Sequence, residues 1–382
     1  MFGNKKPKKK WRRLAVIVLS SLSLAALAYA AITLITGRNT DLSRVADLFS
    51  PRVPVDAVQE YYFDVGSDRV FADLGGGSLA AAGTLGIQVL DTGGSEPLRD
   101  FFRMSAPAIS AANGRAIAYD IGGTAFYVFD KKRILAAFEA SGVIVSASIN
   151  KNGWFCVNTQ EGGGLRGVTT VYNSKAAPVF RVNLASGYAL SSALSPDNKV
   201  LAVLNITDVG SRITIYNGLN KTEPDSTFEL TGELILDTRF LSGGDLLAIS
   251  MNSLIAIDKN GASRILYEYF DKRLGGYSLD ENALVLHLLD FGIGYGGRLL
   301  SLDKDWKIIA EIATDREIIS MSLKGKHLAV LRNDGLIFYN AAFEAFSPKD
   351  GYTPVAGVNR VITLSNGSAL VTSDNSAVVI NR

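Results

Sequence analysis

A single cysteine, Cys156, stands among 382 residues. No internal disulfide can form, so a small stapled secreted scaffold is excluded. The thiol, in "GWFCVN", reads as a small buried residue. Histidine is nearly as scarce. His287 in "ALVLHLL" and His327 in "KGKHLAV" lie inside apolar strand-like runs and read as satisfied core or edge residues. HExxH, CxxC and the nucleophile elbow are all missing, so metal and nucleophilic catalysis find little support. Accordingly no catalytic, cofactor-binding or metal-binding residue is assigned, and no cofactor is expected. "DKDW", residues 303–306, has a D-x-D spacing without the Gly and distal Glu of a calcium loop, and fits a turn. "GIGYGG", residues 292–297, matches G-x-G-x-x-G, yet "RLLSLDKDW" follows it as a short strand and a turn. A dinucleotide site needs a helix there, whose N-terminus receives the pyrophosphate.

Acidic residues are absent from the first thirteen positions, "MFGNKKPKKKWRR", which carry five Lys and two Arg. Taking those seven from 39 basic residues leaves 32 against 37 acidic ones, about −5 for the remainder. A basic tail on a mildly acidic body argues against nucleic acid as a partner, because phosphates attract excess positive charge. Residues 14–36, "LAVIVLSSLSLAALAYAAITLIT", form an uncharged run of twenty-three. About 20 apolar residues span a bilayer core, so this run is expected to be an uncleaved transmembrane signal-anchor helix and the chain's contact with the lipid bilayer. A signal peptide cleaved after Ala30, at "AYA", is the alternative. By the positive-inside rule the tail (1–13) stays in the cytoplasm and the body lies outside, single-pass in the cell membrane. Residues 37–57 read as a stalk, with Pro51, Pro54 and a short amphipathic stretch of Leu42, Val45, Ala46 and Phe49.

From residue 58 onward sustained helical periodicity is almost absent. What replaces it is a repeat. A turn recurs as "LGGGSLAAAG", "SAANGRAIAY", "INKNGWFCVN", "SPDNKVLAVL", "LSGGDLLAIS", "LDENALVLHL", "LKGKHLAVLR" and "LSNGSALVTS". With Gly77, Gly114, Gly153, Asn198, Gly244, Glu281, Gly325 and Gly367 as markers, the steps are 37, 39, 45, 46, 37, 44 and 42 residues. Behind each turn comes an apolar run ending in Asp or Asn: "IQVLD", "FYVFD", "TTVYN", "ITIYN", "LIAID", "LLSLD", "LIFYN", "AVVIN". About four strands of 5–6 residues with their turns fill a repeat of roughly 40. One such sheet cannot bury both faces, and radial stacking into a ring covers them. The expected fold is all-β, an eight-bladed β-propeller over residues 58–382, with seven blades the alternative. The last repeat stops after its third strand, and "VQEYYFDV", residues 58–65, is the candidate to close it.

The turn "SPDNK" resembles the Ser-Pro-Asp-Gly-Lys turns of TolB-like and WD40-like propellers, and eight blades resemble quinoprotein-type propellers. The basic tail, single anchor and weak repeat together resemble a family of unknown function: membrane-anchored, quinoprotein-like propellers of Gram-positive bacteria. That resemblance implies fold and location, and no activity. The Trp-Asp dipeptide of WD40 repeats is replaced by pairs such as Leu90-Asp91, Phe129-Asp130 and Tyr216-Asn217, and two histidines cannot supply that family's hydrogen-bond network.

Three repeats are longer between marker and terminal Asp/Asn, by "TQEGGGLRG", "TDVGS" and "DFGIGYGG". These extra residues fall between the second and third strands, on one face. There Arg166, Asp208, Arg212, Phe291 and Tyr295 form a candidate binding rim. Inner strands such as "PAISAA", "VSASI", "SSALS" and "SMSLK" are mostly Ser, Ala and Leu, with scattered Asp237, Arg239 and Arg360. The expected function is an anchored extracytoplasmic binding or scaffold module for an unknown protein or a cell-envelope polymer. The alternative is an enzyme, of lyase or quinone-dependent dehydrogenase type, using the propeller channel.

Overall fold

The computed structural model describes residues 59–382 except 92, 163–166, 185, 242, 281–282, 293, 347–351, 355–356 and 374–375. The tail, the apolar run and the stalk therefore lie outside the described residues. Among the described residues no helix is long and apolar enough to cross a membrane.

Thirty-two described strands form eight four-stranded antiparallel sheets, seven of them built from consecutive strands. Blade 1 runs outward through Val70–Asp73, Ser78–Gly83, Gly86–Asp91 and Leu98–Phe101. The marker turns join each inner strand to the second. The seven described markers have φ between 60° and 94°, and Glu281 falls outside the description. "SPDNK" shows why the motif recurs. Asn198 takes φ 60°, Ser195 Oγ accepts the Val200 N–H at 2.9 Å, and Asp197 accepts from the same hydroxyl at 2.6 Å. The turn is thus closed by its own side chains.

The second signature has an equally local cause. Asp91, Asp130, Asn173, Asp258, Asp303 and Asn340 each turn Oδ1 onto two backbone N–H groups of the next hairpin. This includes the D-x-D of residues 303–306. Asn217 departs: its loop is longer, and its own N–H donates to Asp225 Oδ2 at 2.7 Å.

Eight apolar clusters hold the ring, one between each pair of neighbouring blades. Strand alternation divides the side chains between them. In blade 1, Ala80 and Ala82 pack toward Met104 of the following connection and Phe129 of blade 2, whereas Leu79 and Ala81 pack toward Ile362 and Leu370 of blade 8. A sheet buried on both faces needs apolar residues at successive positions, which explains why the second and third strands read as unbroken apolar runs.

Blade 8 is composite. Its inner three strands are Val358–Thr363, Ala369–Ser373 and Ser376–Ile380, and its outer strand is Gln59–Tyr62, paired antiparallel from Gln59↔Val379 to Tyr62↔Ser376. Phe63 and Val65 leave the sheet and pack with Tyr61 into the cluster between blades 8 and 1. The structure thus has eight blades, not seven.

The inner strands give the serines a purpose. Ser146 and Ser148 donate to the Leu190 and Ser192 carbonyls of the next blade at 2.8 and 2.7 Å. Ser278, Ser320 and Ser322 accept N–H bonds from Leu323, Val361 and Thr363. Short hydroxyl side chains let adjacent inner strands approach and stitch them together around the channel. In blades 3 to 8 each inner strand also carries a bulge near its start, at Val145, Leu190, Leu236, Gly275, Ile319 and Asn359. Every inner strand starts on the face bearing the blade-to-blade connections and the second-to-third strand hairpins. That face is called upper here, and the face with the marker turns is called lower.

Candidate functional site

The expected rim residues fall into three situations. Arg166 lies outside the described residues. Asp208, Phe291 and Tyr295 occupy upper hairpin tips, all exposed, with Phe291 at 69% and Tyr295 at 48%. Arg212 instead stands on the third strand of blade 4, Gly210–Asn217, where Nε donates to Glu229 Oε1 at 2.6 Å and Nη1 to Ser186 Oγ at 3.1 Å. It bridges its own outer strand and the connection from blade 3. The extra residues "TDVGS" of the fourth repeat do not form a loop. They lengthen Val200–Thr207 and Gly210–Asn217 to eight residues each, joined by a two-residue turn. The third and sixth repeats do have more residues between their second and third strands, from Gln160 to Gly167 and from Asp290 to Gly297. The sixth loop feeds directly into strand Gly297–Asp303, so "GIGYGG" has no helix behind it.

Arg212 also lines a cleft of ≈ 680 Å³ between blades 3 and 4, with Arg181, Asn205, Tyr216, Glu223 and Glu229 among its walls. The arginines are paired: Arg181 Nη2 donates to Glu161 Oε2 at 2.7 Å, as Arg212 does to Glu229. Tyr216 is pushed up to about 12, by burial first and then by Glu223, so it stays a neutral hydrogen-bond donor. Asn205 is 1% exposed, and its carboxamide oxygen has no hydrogen-bond partner. Such groups are rare in folded proteins. The cleft offers donors and acceptors but no paired nucleophile and base.

The Family of unknown function (DUF5711) matches residues 58–343, three quarters of the chain. The chain belongs to the DUF5711 family. No curated protein matches this DUF5711 chain. Solved propellers do, at low identity. BamB from Moraxella catarrhalis is 16% identical with TM-score 0.55, over 85% of this chain and 99% of that one. The C-terminal WD40 domain of Sif2 is 14% identical with TM-score 0.60, over 85% and 97%. The quinohemoprotein alcohol dehydrogenase ADHIIG from Pseudomonas putida HK5 is 11% identical with TM-score 0.53, over 85% and 75%. These likenesses show the β-propeller fold.

In the DUF5711 channel, charged inner-strand side chains meet where Lys324 Nζ of blade 7 lies 4.0 Å from Asp73 Oδ2 of blade 1, and again around Asp237. Asp237 of blade 5 accepts from Tyr277 OH of blade 6 at 3.0 Å and from Arg239 Nε at 3.2 Å. These groups satisfy one another at the position where other blades place a stitching serine. Arg360 lies apart on blade 8, its guanidinium pKa lowered by burial. His287 is buried at 5% exposure, yet it is not the satisfied core histidine expected, because Nε2 has no partner. Gly275 makes room for it: a Cβ there would stand 2.9 Å from His287 Nδ1. His327 sits at the lower rim with Nδ1 2.7 Å from Arg382 Nη1. Among the described residues no three His, Cys, Asp or Glu side chains are grouped to hold a metal ion.

Proposed function

We propose that this chain is a membrane-anchored, extracytoplasmic binding or scaffold module that engages a protein or cell-envelope ligand through the upper face of its ring. The carrying observation is the one-sided placement of exposed apolar side chains. Of nineteen exposed large hydrophobic residues among those described, fourteen lie in upper loops or at upper strand ends, including Phe101, Tyr188, Val209, Phe270, Phe291 and Tyr295. Singly exposed hydrophobes are ordinary, but their collection on one face supports an interface, and aromatics are common interface anchors. The basic tail and apolar run support a cytoplasmic N-terminus with the propeller outside. The enzymatic alternative draws less support, since the channel cluster of Asp237, Arg239 and Tyr277 is internally paired.

Photo-crosslinking side chains introduced in living cells test this reading. Val209, Phe270 and Phe291 on the upper face should trap a discrete partner, while Val179, Ile265 and Ile309 on outer strands should not. If the outer-strand set traps the partner and the upper set stays bare, the assignment of the face fails. Protease added to intact cells should remove the propeller and spare the tail; protection until lysis would refute the topology.

A further inference from the structure

The two faces of the ring differ in charge as well as in apolarity. Of the twelve described lysines, eleven lie in the lower turns or at a lower strand end, and the twelfth, Lys272, opens an upper strand beside Asp271 and Asp290. The described residues of the upper loops include no lysine, nine acidic residues and three arginines. Among the described residues the lower turns reverse this, with eleven basic residues against eight acidic ones, and the further acids at lower strand ends, Asp73, Asp91, Asp130, Asp280 and Asp303, are half-buried. Several lower acids are turn formers: Asp258 Oδ1 already accepts two backbone N–H groups. Lys132, Lys175, Lys259, Lys304, Lys307 and Lys326 are exposed around this face. The chain also enters the ring here, because Gln59 is the lower end of the closing strand of blade 8.

We infer that the lower face is a membrane-apposed surface that rests on anionic phospholipid headgroups. The inference builds on the anchored reading above. Flexible lysines act as point charges suited to a diffuse anionic plane, where bidentate arginines suit a specific phosphate site. The described chain begins at Gln59 on the lysine-bearing side, so on the anchored reading the point of entry and the charge favour the same orientation. The acidic, apolar upper face is then turned away from the bilayer.

The propeller's two tryptophans report on this geometry, because Trp154 and Trp306 both sit in lower turns. The full chain carrying Trp11→Phe would be reconstituted in phosphatidylcholine vesicles with a trace of dansyl-headgroup lipid, and in matched vesicles containing phosphatidylglycerol. Energy transfer from tryptophan to dansyl should be at least about twofold stronger on the anionic vesicles. It should fall to the neutral level in about 0.5 M salt, where screening is short-ranged. Reversal of Lys132, Lys175, Lys259, Lys307 and Lys326 to Glu should have the same effect with the melting transition unchanged. Equal transfer on both vesicle types, or transfer that survives charge reversal, overturns the inference. So does tight binding of sodium polyphosphate without any lipid effect, which would give the face to a soluble polyanion. Flotation separates the two readings: an anchored chain floats with both vesicle types, and one that floats only with anionic vesicles has lost the anchor but kept the face.

Discussion

His287 allows a quantitative test of how the ring is packed. The imidazole is 5% exposed on the second strand of blade 6, and burial first, then the Arg273 charge, lower its pKa from 6.5 to about 4. It is therefore neutral in the folded chain at pH 7. As pH falls below 6.5, the unfolded chain takes up a proton that the folded chain refuses. The stability involved is fully present above pH 6.5 and is lost progressively down to pH 4. A separation of about 2.5 units, at 1.36 kcal/mol each, is about 3 kcal/mol, most of it gone by pH 4.5. His287→Leu removes the titration and relieves the orphaned Nε2, so it should be neutral or stabilising at pH 7.5. Guanidinium denaturation followed by tryptophan fluorescence, at pH 7.5 and 4.5, isolates the effect from all other acid titrations by difference. The wild-type chain should lose about 2–3 kcal/mol more than the variant on acidification. Arg273→Gln should raise the folded pKa and shrink that gap. If wild type and His287→Leu lose stability in parallel, within about 1 kcal/mol, the imidazole is not held neutral by burial.

The thiol of Cys156 is pushed up to about 12 by burial, so a thiol reagent should leave the native chain untouched and modify one cysteine on denaturation; rapid native labelling would show that the cluster between blades 3 and 4 opens. Deleting residues 369–382 removes two strands of blade 8 and should abolish cooperative unfolding, and an unchanged melting transition would refute closure by that blade. Tyr61→Ala, in the cluster between blades 8 and 1, should cost about 3 kcal/mol by chemical denaturation, and a cost near zero would mean that the closing strand is not packed. Gly86 has φ 139°, and a Cβ there would stand 2.0 Å from the Asp100 carbonyl oxygen; Gly86→Ala should lower stability by more than about 1 kcal/mol, and a neutral outcome would contradict that turn.

The number of blades could be read from the sequence because each blade writes two local marks. A left-handed residue is needed where Gly153 or Asn198 turns the chain, and a short carbonyl or carboxylate where Asp258 or Asn340 caps the next hairpin. Both are determined within a few residues, so they survive without knowledge of tertiary contacts. Features that depend on which strands become neighbours were not legible. The inner serines look like filler until Ser148 is seen donating to the Ser192 carbonyl of the next blade. "TDVGS" looks like an insertion because counting from marker to terminal Asn cannot separate a longer loop from longer strands. Pairing between Thr207 and Gly210 shows the latter. Arg212 is marked in the sequence by its place in a long repeat, while Asn205 and the cleft beside it carry no sequence signal. An Asn inside "LAVLNIT" reads as one more strand residue, and only the packing of two blades shows its oxygen left without a partner. The charge difference between faces is likewise spread over eight repeats and emerges only when turns are sorted by the side of the ring they reach.

The closing strand also has a mechanical meaning. A load applied at Gln59 from below runs along the axis of Gln59–Tyr62, parallel to its partner Ser376–Ile380. Bonds across the two strands then bear the force together, in shear, and do not peel one after another. Because only four residue pairs share the load, this joint is short, and Tyr61, Phe63 and Val65 are wedged behind it. The ring should therefore hold its shape under small sustained tension and fail in a single step, with the closing strand parting from Ser376–Ile380 before any pair of blades separates.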